Sequence, residues 1–176
     1  MNVIKKTMRH LALKGEVCDG RSSFGCSRNH HTINGVVFVK FLDIIDSNVL
    51  FRIIISGGKI LKLLFDNKLR IFAPLKLKEE LIKHKDEILL KSKLSENKFN
   101  AFSAFVLKRI IFVPLEEYSP LIPKARELLG KHSKDEDFIA LCLFKNIKVW
   151  TYEKLLFDLG FGMSTKQISE ALSNLT

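Results

Sequence analysis

The stretch 36-VVFVKFLDIIDSN-48 runs ten mostly apolar, β-rich residues straight into Asp46, Ser47 and Asn48. An apolar run of this length and composition reads as a strand buried on both faces, the kind found in a mainly parallel sheet. A carboxylate at its end is costly to bury alone, so Asp46 must face either solvent or something positive. The surrounding pattern decides which.

Toward the C-terminus the chain alternates strand with helix. "GGKILKLLFDN" predicts a helix opened after two glycines, "KLRIFAP" a second strand stopped by Pro74, and "LKLKEELIKHKDEILLK" one long helix. "ENKFNAFSAFVLKR" predicts a helix capped by Ser95, "IIFVP" a short strand, and "SPLIPKARELLG" a helix closed by Gly130. "DEDFIALCLFKN" is a further helix, "IKVWT" a strand and "EKLLFDLG" the last clear helix, followed by a weak tail. Strands spaced by helices imply an α/β domain whose mainly parallel sheet is covered by helices on both faces.

Toward the N-terminus the character changes. Residues 1–35 are rich in Gly, Ser, Asn, His and Arg and are expected to form a basic extension, flexible or loosely docked, ahead of a domain over 36–176. Cys18, Cys26, His30 and His31 are zinc-binding residue types, but their spacing matches no usual zinc knuckle. The three cysteines make no disulfide framework, which suits a reducing cytoplasm. The longest apolar run is broken by Lys40 and Asp43, so no membrane span is expected, and the opening residues are charged where a signal peptide would be apolar.

A formal net charge of +10, from 29 basic and 19 acidic residues, favours polyanionic partners such as nucleic acid. Against that background the acids stand out by position. Sites in open α/β sheets form outside the carboxyl ends of the strands. Asp46 ends the first strand, Glu153 follows "IKVWT", Asp135 opens the helix before that strand, and Glu79 and Glu80 follow the strand stopped by Pro74. Carboxylates gathered at one sheet edge raise one another's pKa unless a cation sits among them. Hard oxygen donors favour Mg²⁺ or Mn²⁺, and such a centre on a basic chain points to phosphodiester hydrolysis. Each acid also has a plainer role: Asp135, Glu136 and Asp137 suit a helix N-terminus, and Glu79 and Glu80 could pair with Lys76 or Lys83. Trp150, on a central strand, is expected in the core, and Cys142 as a buried thiol.

Four signatures in order resemble the PIN-domain nuclease family: "IDSNVLF", "FAPLKLKEELIKH", "KDEDFIALCL" and "KVWTYEK", together covering about residues 38–170. The resemblance implies a three-layer PIN-like fold and a metal-dependent ribonuclease. Position by position it implies that Asp46, Glu80 and Asp135 are the catalytic, metal-binding acids, and that Glu153 is the fourth. Glu80 is preferred to Glu79 because the family acid directly precedes an apolar residue, here Leu81. Asp135 is preferred to Asp137, a supporting acid, because it stands five residues before Ala140. Asn48 would orient Asp46, and Ser47 keeps a hydroxyl where Thr is commoner. Glu153 departs from the usual Asp, retaining the carboxylate on a stem one methylene longer. The resemblance further implies Mg²⁺ or Mn²⁺ as cofactor, RNA as substrate, a homodimer and, where the protein is the toxin of a toxin-antitoxin pair, an antitoxin partner. The alternative is a catalytically weak PIN-like scaffold that binds RNA or protein. A flap-cleaving DNA nuclease would need a long insertion to thread DNA, and the sequence has none.

Overall fold

The computed structural model describes residues 28–33 and 36–175. The chain begins with β1 (Arg28–Ile33) and β2 (Val36–Ile45), followed by α1 (Ser47–Ser56), α2 (Gly58–Leu64) and β3 (Leu69–Pro74). Next come α3 (Lys76–Lys83), α4 (Lys85–Ser92), α5 (Glu96–Leu107) and β4 (Ile110–Val113). A short α6 (Leu115–Tyr118) and one 3-10 turn lead into α7 (Ile122–Leu129), and a second 3-10 turn, Ser133–Asp135, leads into α8 (Glu136–Lys145). The chain ends with β5 (Val149–Trp150), α9 (Lys154–Asp158), β6 (Gly162–Met163) and α10 (Thr165–Ser173).

The strands lie in the order β4-β3-β2-β5-β6, all parallel, with helices flanking the sheet. This is the three-layer α/β architecture expected from the sequence. β1 adds an antiparallel partner along the first half of β2, from Arg28 opposite Phe41 to Ile33 opposite Val36. The last part of the expected N-terminal extension is thus a strand paired with β2; Cys18, Cys26 and the rest of residues 1–27 lie outside the described residues. Among the described residues no helix is long and apolar enough to cross a membrane.

β2 is central because both of its faces are apolar. Ile44 pairs with Phe72 on one side and with Val149 on the other, and Ile44, Ile45, Val149 and Trp150 are wholly buried. Each such aliphatic side chain stabilises the fold by roughly 1.5–3 kcal/mol. Trp150 is therefore a core residue, its indole Nε1 donating to Thr165 Oγ1 at 2.9 Å. Cys142 is also buried, on α8, and burial pushes its thiol pKa well up, as the inert reading of that residue requires.

Three local differences from the sequence reading have physical causes. Residues 47–56, to which the pattern assigned no element, form α1: Val49, Leu50, Ile53 and Ile54 are buried at helical spacing, while the β-branched run Ile53–Ile55 masks it. The expected single helix over 75–91 is two helices, because the chain leaves helical geometry at His84 (φ −98°, ψ 11°). The weak tail contains α10, fixed by a reciprocal cap between Ser164 and Gln167. Gly57, the cap residue, and Gly58, the first residue of α2, both have positive φ, 57° and 65°, a backbone region that glycine enters without a Cβ penalty.

Where β6 meets α9 the backbone passes close by. A Cβ on Gly162 would sit 2.8 Å from the Phe157 ring and 2.9 Å from the Phe157 backbone nitrogen. Gly162→Ala should lower stability by about 1–3 kcal/mol, read from the urea midpoint, as overpacking does; an unchanged midpoint would show that α9 can move away freely.

Candidate metal centre

Asp46 ends β2 and begins α1. Its backbone N–H donates to Trp150 O at 3.0 Å, which ties it to the end of β5. Its Oδ1 accepts from the Ser47 N–H at 2.6 Å, capping α1. Its Oδ2 accepts from Thr151 Oγ1 at 2.5 Å. Only 3% of the residue is exposed. Burial pushes its pKa up to about 6, with the charges of Asp135 and Glu80 adding and the bonds from Thr151 and Ser47 opposing.

The other acids approach from three further segments. Glu80 is half-buried on α3, just after β3, whereas Glu79 beside it is exposed. Asp135 stands at the N-terminal cap position of α8, and its pKa is raised first by burial and then by Glu153 and Glu80, against Lys76 and Lys134. Glu153 stands at the cap position of α9. Its Oε1 accepts from Asn48 Nδ2 at 3.4 Å, and its backbone N–H donates to Thr151 Oγ1 at 2.9 Å; Asn48, expected to orient Asp46, thus contacts Glu153 and reaches Asp46 only through Thr151. The fold thus brings Glu80 and Asp135 into the electrostatic field of Asp46, and Glu80 and Glu153 into that of Asp135.

The acidic turn before α8 is sorted by its partners. Glu136 is held by the Arg126 guanidinium at 2.8 and 3.1 Å. Asp137 accepts from Lys76 Nζ at 2.8 Å through one oxygen and from the Tyr118 hydroxyl at 3.2 Å through the other. Asp135 has no ion-pair partner among the described residues and lines a cleft of about 510 Å³ together with Ser47, Glu80 and three lysines, Lys76, Lys83 and Lys134. Lys76 pairs with Asp137 and not with Glu79 or Glu80. Burial works to lower its pKa, but Asp137, Glu80 and Glu136 together outweigh burial and raise it, so it stays charged.

Sequence reasoning named the four acids with Ser47, Asn48 and Asp137, and missed two residues that the geometry makes prominent. Thr151 bonds the carboxylate of Asp46, lies 3.4 Å from Asn48 Nδ2 and accepts from the Glu153 backbone. It was visible in "KVWTYEK" as the residue joining a strand end to an acid. Lys76, the other, is recognisable only once Asp137 is folded beside it. The His84 side chain lies 3.2 Å from the Glu87 carboxylate.

A family model described as the PIN domain matches residues 44–175. The chain belongs to the PIN-domain family. Comparison with curated proteins finds no match. PIN domains are generally nucleases, and PIN-domain nucleases typically use divalent metals. The chemistry of the donor set in this PIN domain fits such an ion: the acids offer only oxygen, two of them have raised pKa values, and Asn48 Oδ1 is buried beside them without a hydrogen-bond partner. No three Asp, Glu, His or Cys side chains among the described residues converge into a preformed cage.

The raised pKa of Asp46 has a consequence for stability. The folded state binds this proton with a pKa of about 6, against roughly 3.9 for an unfolded Asp, so the stabilisation is complete below the lower value and is lost as pH rises through the higher. Asp46→Asn should therefore stabilise the metal-free PIN domain at pH 7 by about 1–3 kcal/mol and leave it unchanged near pH 4. Urea unfolding at the two pH values measures this, and a variant less stable than wild type at pH 7 would contradict it.

Proposed function

We propose that the protein is a metal-dependent endoribonuclease that hydrolyses RNA phosphodiester bonds. The observation that carries this reading is the mutual repulsion of Asp46, Glu80 and Asp135 at one sheet edge of a chain whose net charge is +10. Asp46, Glu80 and Asp135 would hold Mg²⁺ or Mn²⁺, with Glu153 as the fourth acid. When bound, such an ion lowers the pKa of a water and offsets charge on the leaving oxygen. Thr151 and the Ser47 N–H keep the Asp46 carboxylate in one orientation, and Asn48 does the same for Glu153. Lys76, Lys83 and Lys134 line the same cleft and would draw the phosphate backbone of single-stranded or structured RNA. The reading covers both a stand-alone RNA-processing enzyme in the cytoplasm and the toxin of a toxin-antitoxin pair, with an antitoxin and a second copy of the chain as partners.

A second reading, a scaffold that binds RNA or protein without turnover, is favoured by two observations. The Glu153 carboxylate is already engaged by Asn48, and the acids do not form a closed cage.

The test is cleavage of a mixed RNA pool with Mg²⁺ or Mn²⁺, beside Asp46→Asn and an EDTA control. Cleavage should require both the metal and Asp46, with a loss of at least about 100-fold in the variant, as expected for an acid that holds a catalytic ion. Glu153→Asp should keep or raise the rate. Folded wild-type protein that cleaves no better than Asp46→Asn would leave the scaffold reading in place.

A further inference from the structure

The acidic cleft has a neighbour. On the other side of the first turn of α1 lies a second cleft of about 360 Å³, lined by Asn48, Phe51, Arg52, Lys91 and Tyr152 among others. Ser47 lines the first cleft and Asn48 the second, so the two meet at consecutive residues. Asn48, Arg52 and Ser56, each one turn apart on α1, all border the second cleft. In the chain Tyr152 stands between Thr151, which bonds Asp46, and Glu153.

Tyr152 is held as a platform. Its hydroxyl lies 3.1 Å from Thr165 Oγ1, the same oxygen that accepts from the buried Trp150 indole. The Arg52 guanidinium lies 5.3 Å from the centroid of its ring. Yet the residue is 40% exposed. Anchoring α10 through Thr165 would need only the hydroxyl. It gives no reason for an exposed ring posed under a guanidinium that has no ion pair among the described residues, whereas Lys91 is already paired with Glu87 at 2.6 Å.

We propose that this second cleft is a base-stacking subsite for single-stranded RNA: one unpaired base lies against the Tyr152 ring, and Arg52 pairs with the adjoining phosphate. Stacking of this kind accepts any base, because every base has a π face, and it requires that the base be out of a duplex. The subsite meets the acidic cleft at Asn48 and Ser47, so a strand stacked on Tyr152 would extend from one cleft toward the other. The inference therefore deepens the nuclease reading and rests on that reading for its substrate, but the subsite itself binds without turnover.

Fluorescence anisotropy in EDTA separates the two. The probes are a fluorescein-labelled single-stranded oligoribonucleotide and the same strand made abasic. Wild type should prefer the base-bearing strand. Tyr152→Ala, and Tyr152→Leu as a variant that keeps apolar bulk, should each weaken binding of that strand by about tenfold while leaving the abasic strand unchanged. Tyr152→Phe, which keeps the ring, should bind within about twofold of wild type. The proposal is overturned if wild type shows no preference for bases or if Tyr152→Leu binds as wild type does. It is also overturned if Tyr152→Phe loses as much as Tyr152→Ala, which would assign the effect to the Thr165 contact. Base-dependent binding without cleavage would count against the hydrolase alone; cleavage by wild type with no effect of Tyr152 would count against the subsite alone.

Discussion

The bond from Thr151 Oγ1 to Asp46 Oδ2, with the Asp46 N–H on Trp150 O, fastens the carboxyl end of β2 to that of β5. It joins residues 105 positions apart, and it does so at a carboxylate that is almost fully buried. Moving either strand by a residue would turn the acid to the other face of the sheet and leave the Thr151 hydroxyl pointing elsewhere. The register of the central strands and the orientation of the carboxylate are therefore a single constraint. Burial and the other acids disfavour its charge, while two donors favour it, and the balance leaves the group close to half-protonated in mildly acidic solution.

Around this point charge is sorted, not merely accumulated. Of the three consecutive acids at the start of α8, Glu136 goes to Arg126 and Asp137 to Lys76 and Tyr118, which leaves Asp135 for the cleft. Lys76 is thereby held next to Glu80 without neutralising it directly. Carboxylates and ammonium groups thus line the same cleft. Asp43, earlier on β2, shows the contrast. It is wholly buried, burial raises its pKa well up, and one of its oxygens has no partner. It belongs to the core and not to the cleft.

Much of this was legible in the sequence, for reasons that can be named. β2 and β3 are runs that only a two-sided buried strand explains, and α8 carries its acids just where a helix begins. Three acids placed after strand ends and a fourth at a helix start pointed to one acidic cluster; of the four, Glu80 and Asp135 line the cleft. What escaped reading were features in which local pattern and tertiary context disagree. α1 carries three consecutive isoleucines, a strand-like composition that burial at helical spacing overrides. His84 interrupts an otherwise continuous helical pattern, and its ring lies 5.3 Å from that of Phe51, a contact no local rule anticipates. Thr151 is chemically unremarkable until Asp46 is beside it, and Tyr152 gains meaning only from Arg52, a hundred residues earlier in the chain.

The four acids enter the chain in two pairs, Asp46 and Glu80 early, Asp135 and Glu153 late. β5, which must dock against β2 to bring Thr151 to Asp46, is also late. A growing chain therefore carries only Asp46 and Glu80 of the four until Asp135 is added, and the end of β2 lacks its β5 neighbour until Val149 and Trp150 are made. For a protein whose family cuts nucleic acid, this order delays assembly of the complete acidic cluster until the residues past Glu153 have been made.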